Sequence, residues 1–278
     1  MSTDNNDNYP TYYSGNMSKS KSKWDINGGN DMIIEAVVVC YNYSDFLEHT
    51  LPRNLDLVDR LVVVTHHNDR KTQLLCQKYS VDCLKTNIFH DDGDVFNKGR
   101  AINLGLAHLR HTGWVLHLDA DIMLPPRFRH MLHMAKLDPK NIYGCDRLNV
   151  VNYENWTQHK HKTSPQHAWR YLVCPQVEFP IGARLVHLEY GFCPLGFFQL
   201  FHSSLRRTYP IVCGSAEHSD VLFAVQWDRQ NRILLPEFFV YHLESEKANP
   251  RDNNWEGRIT KEFGPDDKAD PFCRFKLN

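Results

Sequence analysis

An α/β fold, a mostly parallel central sheet flanked by helices, is predicted by three observations. Short, β-branched apolar runs recur between residues 33 and 118. Stretches with helical spacing alternate with them, and polar, chemistry-bearing residues cluster just after the runs.

Taken in order, Ile33 to Cys40 is apolar except for Glu35, and such a continuous run reads as a strand buried on both faces. Asp45 to Asn54 carries Phe46, Leu47 and Leu51 at helical spacing. Leu61 to Thr65 is a second strand, Lys71 to Tyr79 a short helix, and Val81 to Leu84 a third strand. Phe96 to Arg110 reads as a helix through Ala101, Ile102, Leu104, Leu106 and Leu109, and Trp114 to Leu118 as a fourth strand. A later strand is expected over Ile233 to Val240, and a helix leads from Asp220 towards Trp227. No internal repeat is present.

The chain has 278 residues, 42% hydrophobic and 23% charged, which suits a globular domain. Its 32 Lys/Arg against 33 Asp/Glu exclude a polyanion-coating protein, although a local basic patch remains compatible. No apolar run reaches membrane-spanning length, and the opening Met-Ser-Thr-Asp-Asn lacks a signal-peptide core. The eight cysteines form no CxxC pair, so they read as buried thiols of an intracellular protein rather than a zinc site. Residues 1–30 are too polar to bury a core and read as a disordered arm; 31–278 reads as one domain.

Ligands of such sheets sit beyond the carboxyl ends of the strands. The strongest motif there is Asp119-Ala-Asp121, directly after the fourth strand. On an extended strand both carboxylates would share a face. Two such charges repel unless a cation intervenes, and hard oxygen ligands suit Mn²⁺ or Mg²⁺. His242, at the end of the late strand, is a candidate third ligand. The turn Glu217-His218-Ser219-Asp220 opens a helix, where a carboxylate either caps the helix or acts as a base. Phe96-Asn97-Lys98-Gly99-Arg100 offers Lys98 and Arg100 to phosphate oxygens but lacks P-loop spacing.

In this order, the pieces resemble a GT-A-fold, nucleotide-sugar-dependent glycosyltransferase. The run Val-Val-Val-Cys40-Tyr41-Asn42-Tyr43 is similar to the first strand and loop of family 2 glycosyltransferases. The series Phe96-Asn97…Asn103, Asp119-Ala-Asp121, Tyr190-Gly191…Gly196, Glu217…Asp220 and Tyr241-His242 resembles the catalytic domain of β-1,4-galactosyltransferases. The resemblance spans about residues 33–260. It implies a nucleotide-sugar donor, UDP favoured, held by Tyr41, Asn42, Asp69, Asn97, Lys98, Arg100, Asp119 and Arg258. It implies Mn²⁺ or Mg²⁺ on Asp119, Asp121 and His242, and inverting transfer. Arg258, in Trp255-Glu-Gly-Arg258, would belong to a lid on the diphosphate. His218 stands where the family usually places its basic Asp, so the base is open among Asp220, His218 and Glu217. Thr65-His66-His67 replaces the usual base-binding aspartates, which leaves the donor's base open.

The stretch Arg127 to Arg184 holds nine Lys/Arg and four Asp/Glu, with interleaved aromatics. It reads as an acceptor-side insertion that could grip phosphates and stack on bases. A hydroxymethylated pyrimidine in DNA is one acceptor compatible with it; a glycan, protein or small-molecule hydroxyl is the alternative. A nucleotidyltransferase would carry a basic Gly-rich loop where Cys40-Tyr-Asn-Tyr43 stands. A non-catalytic nucleotide-sugar-binding module would find its support in His218.

Overall fold

The computed structural model describes residues 32–159, 186–187, 191–247 and 253–265. The N-terminal arm and the Lys160 and Lys162 of the basic stretch lie outside them. The strands are β1 (Ile34–Val39), β2 (Arg60–His66), β3 (Asp82–Thr86), β4 (Trp114–Asp119), β5 (Ile122–Met123), β6 (Ile142–Val151), β7 (Val186–His187), β8 (Gly191–Phe192), β9 (Phe198–His202) and β10 (Arg232–Glu244). The helices are α1 (Ser44–Asn54), α2 (Arg70–Tyr79), α3 (Lys98–Ala107), α4 (Phe128–Met134), α5 (Tyr153–His159) and α6 (Ser219–Ala224).

Eight strands form one sheet in the order β3-β2-β1-β4-β9-β6-β10-β5; β7 and β8 pair separately. In the eight-stranded sheet β9 runs antiparallel to β4 and β6, and β5 antiparallel to β10, while its other pairings are parallel. This is the predicted α/β class. The chain winds from β1 outward to β3 and then returns to place β4 on the other side of β1. The carboxyl ends of β1 and β4 therefore flank a switch point, with Val39 paired to Asp119.

All six residues of β1 are buried, because helices cover both faces. Ala36 and Val38 pack with Leu47 and Leu51 of α1 and Leu75 of α2. Val37 and Val39 pack on the opposite side with Ala101, Ile102 and Leu106 of α3. Glu35, the one polar break, is 2% exposed. Its carboxylate accepts from the amides of Arg110 (2.9 Å) and Thr112 (3.4 Å), so the buried charge is met by backbone donors beyond α3.

Two helices are shorter than their apolar patterns. α3 starts at Lys98 because the Asn97 side chain accepts from the Arg100 amide (2.9 Å) and caps it. α6 ends at Ala224, and Trp227 packs from the turn that follows. The larger departure concerns the basic stretch. Phe128 and Leu132 of α4 lie in the main core, and β6 is an interior strand between β9 and β10. Residues 128–151 are thus part of the central layers, not an insertion: after four buried residues, Asp146, Arg147 and Asn149 break the apolar run of β6 and hide a core strand. No helix among the described residues is long and apolar enough to cross a membrane. Cys40, Cys76, Cys145 and Cys193 are buried free thiols, as the sequence suggested.

Gly105 lets α3 lie directly on the sheet. A Cβ there would stand 2.4 Å from Val37 Cγ1 and 3.0 Å from Val64 Cγ2. Gly105→Ala should therefore destabilise the fold by about 1–3 kcal/mol despite the better helix propensity of Ala. Chemical denaturation would measure this; a more stable variant would show that the helix can lift without cost.

Candidate active site

The two aspartates of the motif do not share a strand face. Asp119 ends β4, but the chain turns at Ala120–Asp121 before entering β5. The alternation argument therefore fails, and the carboxylates take different partners. Asp119 forms an ion pair with Lys98 Nζ. Asp121 Oδ2 lies 3.4 Å from His242 Nε2.

The second pairing follows from sheet register. β5 pairs with β10 so that His242 is opposite Ile122, and the Leu243 amide donates to the Asp121 carbonyl at 2.9 Å. The turn is held from beneath by α1. Thr50 Oγ1 donates to Ala120 O (2.6 Å), Asn54 Nδ2 donates to Ile122 O (2.8 Å), and Asn54 Oδ1 accepts from the Leu124 amide (2.9 Å).

Both nitrogens of His242 face acceptors: Nε2 faces Asp121, and Nδ1 lies 2.9 Å from Glu244 Oε1. Burial alone would lower its pKa, but Asp121 and Glu244 outweigh burial and raise it to about 9. Asp121 Oδ1 is buried and accepts no hydrogen bond. A buried carboxylate oxygen without a partner, beside an imidazole, suits a divalent cation. Among the described residues, no group of three or more His, Cys, Asp or Glu converges as a ready cage. Asp121 and His242 fit the role; Asp119 is drawn towards Lys98 instead.

Lys98 is the centre of the other half. Burial opposes its charge, but Asp119, Asp220 and Asp121 together hold its pKa above the ordinary value. Asp220 faces the same interior. Its Oδ2 accepts from the Gly196 amide at 2.7 Å, and its Oδ1 from the Val221 amide at 2.8 Å. A Cβ on Gly196 would stand 3.0 Å from Asp220 Cβ, so glycine permits this approach. Glu217 and His218 are elsewhere: their side chains are 43% and 69% exposed and face each other at 3.7 Å.

Three site residues gave no signal in the sequence. Gln199 Nε2 donates to Pro194 O (2.8 Å) and to Asp220 O (3.0 Å), so its Oε1 is left as an acceptor for the Tyr209 hydroxyl. With that single proton committed, Tyr209 Oη accepts from His117 Nδ1 at 2.9 Å. His117 is then the Nδ1–H tautomer, with a bare Nε2 3.8 Å from Asp119 Oδ1. Burial, and next the Lys98 charge, push its pKa down to about 3, so it stays neutral. These fully buried residues join β4 to the Asp220 turn.

The expected donor residues divide by role. Tyr41 stacks on His66, ring centroids 4.7 Å apart, at the carboxyl ends of β1 and β2. Asn42 is left-handed (φ 58°), its amide donating to Asp69 Oδ2 at 2.8 Å. Asp69 is further occupied by Thr72 N and Oγ1 (3.1 and 2.7 Å), so it braces the loop. Asn97 is fully buried and bonded to Asp94 (2.7 Å) and Ile211 O (3.2 Å). Arg100 turns to Asp92 (2.6 Å). Arg258 is no free lid residue: Asp45 holds its fork, Asn42 O accepts from it at 2.8 Å, and it lies over Tyr43 at 4.8 Å. The sequence could not show that pair, because its members lie at opposite ends of the chain.

The model of the family described as glycosyl transferase family 2 matches residues 35–205, more than half of the chain. The chain belongs to this family. It is thus a glycosyltransferase, and its Asp119, Asp121 and Lys98 fall within the matched span. Among solved structures, it is similar to glucosyl-3-phosphoglycerate synthase from Mycobacterium tuberculosis in complex with Mg²⁺ and uridine diphosphate. Identity is 12%, over 79% of this chain and 73% of that one, with a TM-score of 0.44. Mannosyl-3-phosphoglycerate synthase from Rubrobacter xylanophilus is 13% identical, over 80% and 69%, with a TM-score of 0.44. A mycobacterial protein is 14% identical over 76% of this chain, with a TM-score of 0.41; the glycosyltransferase spans 65% of that protein's length. No curated protein matches the chain significantly.

The His242 geometry sets a pH dependence. Its pKa of about 9 in the metal-free fold exceeds the ordinary 6.5. The stabilisation from its charged form is therefore complete below about pH 6.5 and lost as pH rises through about 9. Melting the metal-free protein from pH 6 to 10 should show His242→Gln approaching wild type at the alkaline end. A constant difference across that range would contradict the ion pair.

Proposed function

We propose that this glycosyltransferase moves a sugar from a nucleotide-sugar to an acceptor hydroxyl with inversion at the anomeric carbon. The observation that carries the reading is the convergence of Asp220 with Lys98 and Asp119 at the switch point, beside the Asp121–His242 pair. Donor loops at Tyr41 and Asn42 lie at the carboxyl end of β1, one strand from Asp119.

Asp121 and His242 are the residues that would hold Mn²⁺ or Mg²⁺. When bound, such an ion neutralises charge on the departing diphosphate. Lys98 adds a fixed ammonium beside Asp119. Asp220 accepts the proton of the acceptor hydroxyl as that oxygen bonds to the anomeric carbon. The bond from that carbon to the diphosphate breaks, and its electron pair leaves with the phosphate. The two backbone amides on Asp220 orient its carboxylate while leaving lone pairs for this proton. Among the three candidate bases, Asp220 is favoured because Glu217 and His218 point to solvent.

The DNA acceptor is one reading of the basic stretch, although two of its described cations are already engaged by carboxylates. Arg129 is taken by Asp59 (2.9 Å) and Lys140 by Asp138 (3.1 Å). Transfer of labelled sugar to hydroxymethylated DNA, compared with small hydroxylated acceptors, decides that point.

Calorimetry with UDP and with GDP, each with Mn²⁺, should show metal-dependent binding and give the base preference. Asp121→Ala and His242→Ala should each remove most of the metal-assisted affinity. Undiminished binding in EDTA would refute the metal role. Asp220→Asn should lower turnover roughly a hundredfold or more with donor affinity nearly intact. Retained turnover in that variant would place the base elsewhere, and parallel loss of donor binding would mark Asp220 as structural.

A further inference from the structure

Arg147 lies on β6, opposite Val240 of β10 and two residues before the Asn149–His242 pair. Its guanidinium rests over the Phe197 ring, 4.8 Å from the centroid. Its Nε is buried and has no hydrogen-bond partner. Arg60, Arg100, Arg129 and Arg258 are paired with Asp82, Asp92, Asp59 and Asp45, and the buried Arg232 donates to Cys193 Sγ at 3.3 Å. Arg147 forms no ion pair among the described residues. Glu244, the nearby carboxylate whose pKa it helps to lower, is engaged by His242.

An uncompensated, partly buried guanidinium is costly, and a side chain stacked on an aromatic ring is already oriented for a planar, two-point contact. We propose that Arg147 receives an oxyanion, a phosphate or carboxylate, carried by the acceptor. One placement favours the acceptor over the donor. Phe197, which supports it, directly follows Gly196, whose amide holds Asp220. The guanidinium is thereby tied to the peptide that positions the base. An acceptor whose anion docks on Arg147 would present a nearby hydroxyl to Asp220. The inference rests on the donor side and the base assigned under Proposed function.

The test uses the full chain with Arg147→Met, which keeps an unbranched stem on Phe197, and Arg147→Lys, which keeps charge without the fork. Melting temperatures confirm that both are folded. Inorganic phosphate and acetate are titrated in separate arms, with UDP and Mn²⁺ saturating and again with neither present. Wild type should bind one of the two anions at millimolar concentration. Arg147→Met should weaken that binding at least tenfold and Arg147→Lys by less, while the affinity for UDP with Mn²⁺ stays within twofold. The anion that binds identifies phosphate or carboxylate. Equal anion binding in Arg147→Met, or no anion binding in wild type, overturns the proposal. A tenfold loss of UDP affinity assigns Arg147 to the donor and also overturns it. A single-stranded oligonucleotide that binds through Arg147 while free phosphate and acetate do not would replace the small anion with a nucleic-acid backbone. Should wild type bind no UDP, the donor reading fails separately, and the nucleotide-free arms still read Arg147.

Discussion

The site depends on a hydrogen-bonded clasp in the interior: Thr50 and Asn54 of α1 gripping the turn from Ala120 to Leu124. Buried carbonyls and amides in a non-repetitive turn must find partners, and here a helix supplies them. With the turn fixed, β5 can pair with β10, and Asp121 meets a histidine from a remote part of the chain. Removing the clasp would leave the carboxylates in place along the sequence but without a defined separation. Asn54 is the more demanding member, because its amide serves both a carbonyl and an amide of the same turn.

Two carboxylates so near in sequence would repel each other across a low-dielectric edge. The fold resolves this by giving each its own cation, Lys98 for Asp119 and His242 for Asp121. The two cations differ in kind. Lysine keeps its proton, since neighbouring carboxylates raise its pKa. The imidazole, by contrast, becomes a lone-pair donor once it gives up its proton. His117, buried beside Asp119 and held neutral, adds no further charge to this balance.

Much of the architecture is legible in the chain because strands buried on both faces must be continuously apolar, as Ile34–Val39 and Arg60–His66 nearly are. The strand-end motifs follow from that reading. β6 escaped it because Asp146, Arg147 and Asn149 interrupt its apolar run and make a core strand look like charged surface. The roles of Arg258 and Asp69 escaped for another reason. Each is a residue type that binds phosphate or sugar in other settings, yet each is consumed here by long-range partners, Asp45 and Asn42. Residue type indicates what a side chain can do; only the fold determines whether its capacity is already spent. Likewise His218 and Asp220, equal candidates in the sequence, differ in direction: one side chain points outward and the other inward.

Three residues before the Arg258 brace stands an exposed indole. Trp255 is 43% exposed, whereas Trp114, Trp156 and Trp227 are 7%, 2% and 4% exposed. Its carbonyl accepts from the Ala216 amide at 2.9 Å, which couples this segment to the loop leading into Asp220. Water can relax around Trp255 but hardly around the other three. Among the described tryptophans, the red-edge component of the intrinsic emission therefore comes from an indole whose own backbone is bonded to the loop before Asp220, a built-in optical gauge of that loop's surroundings.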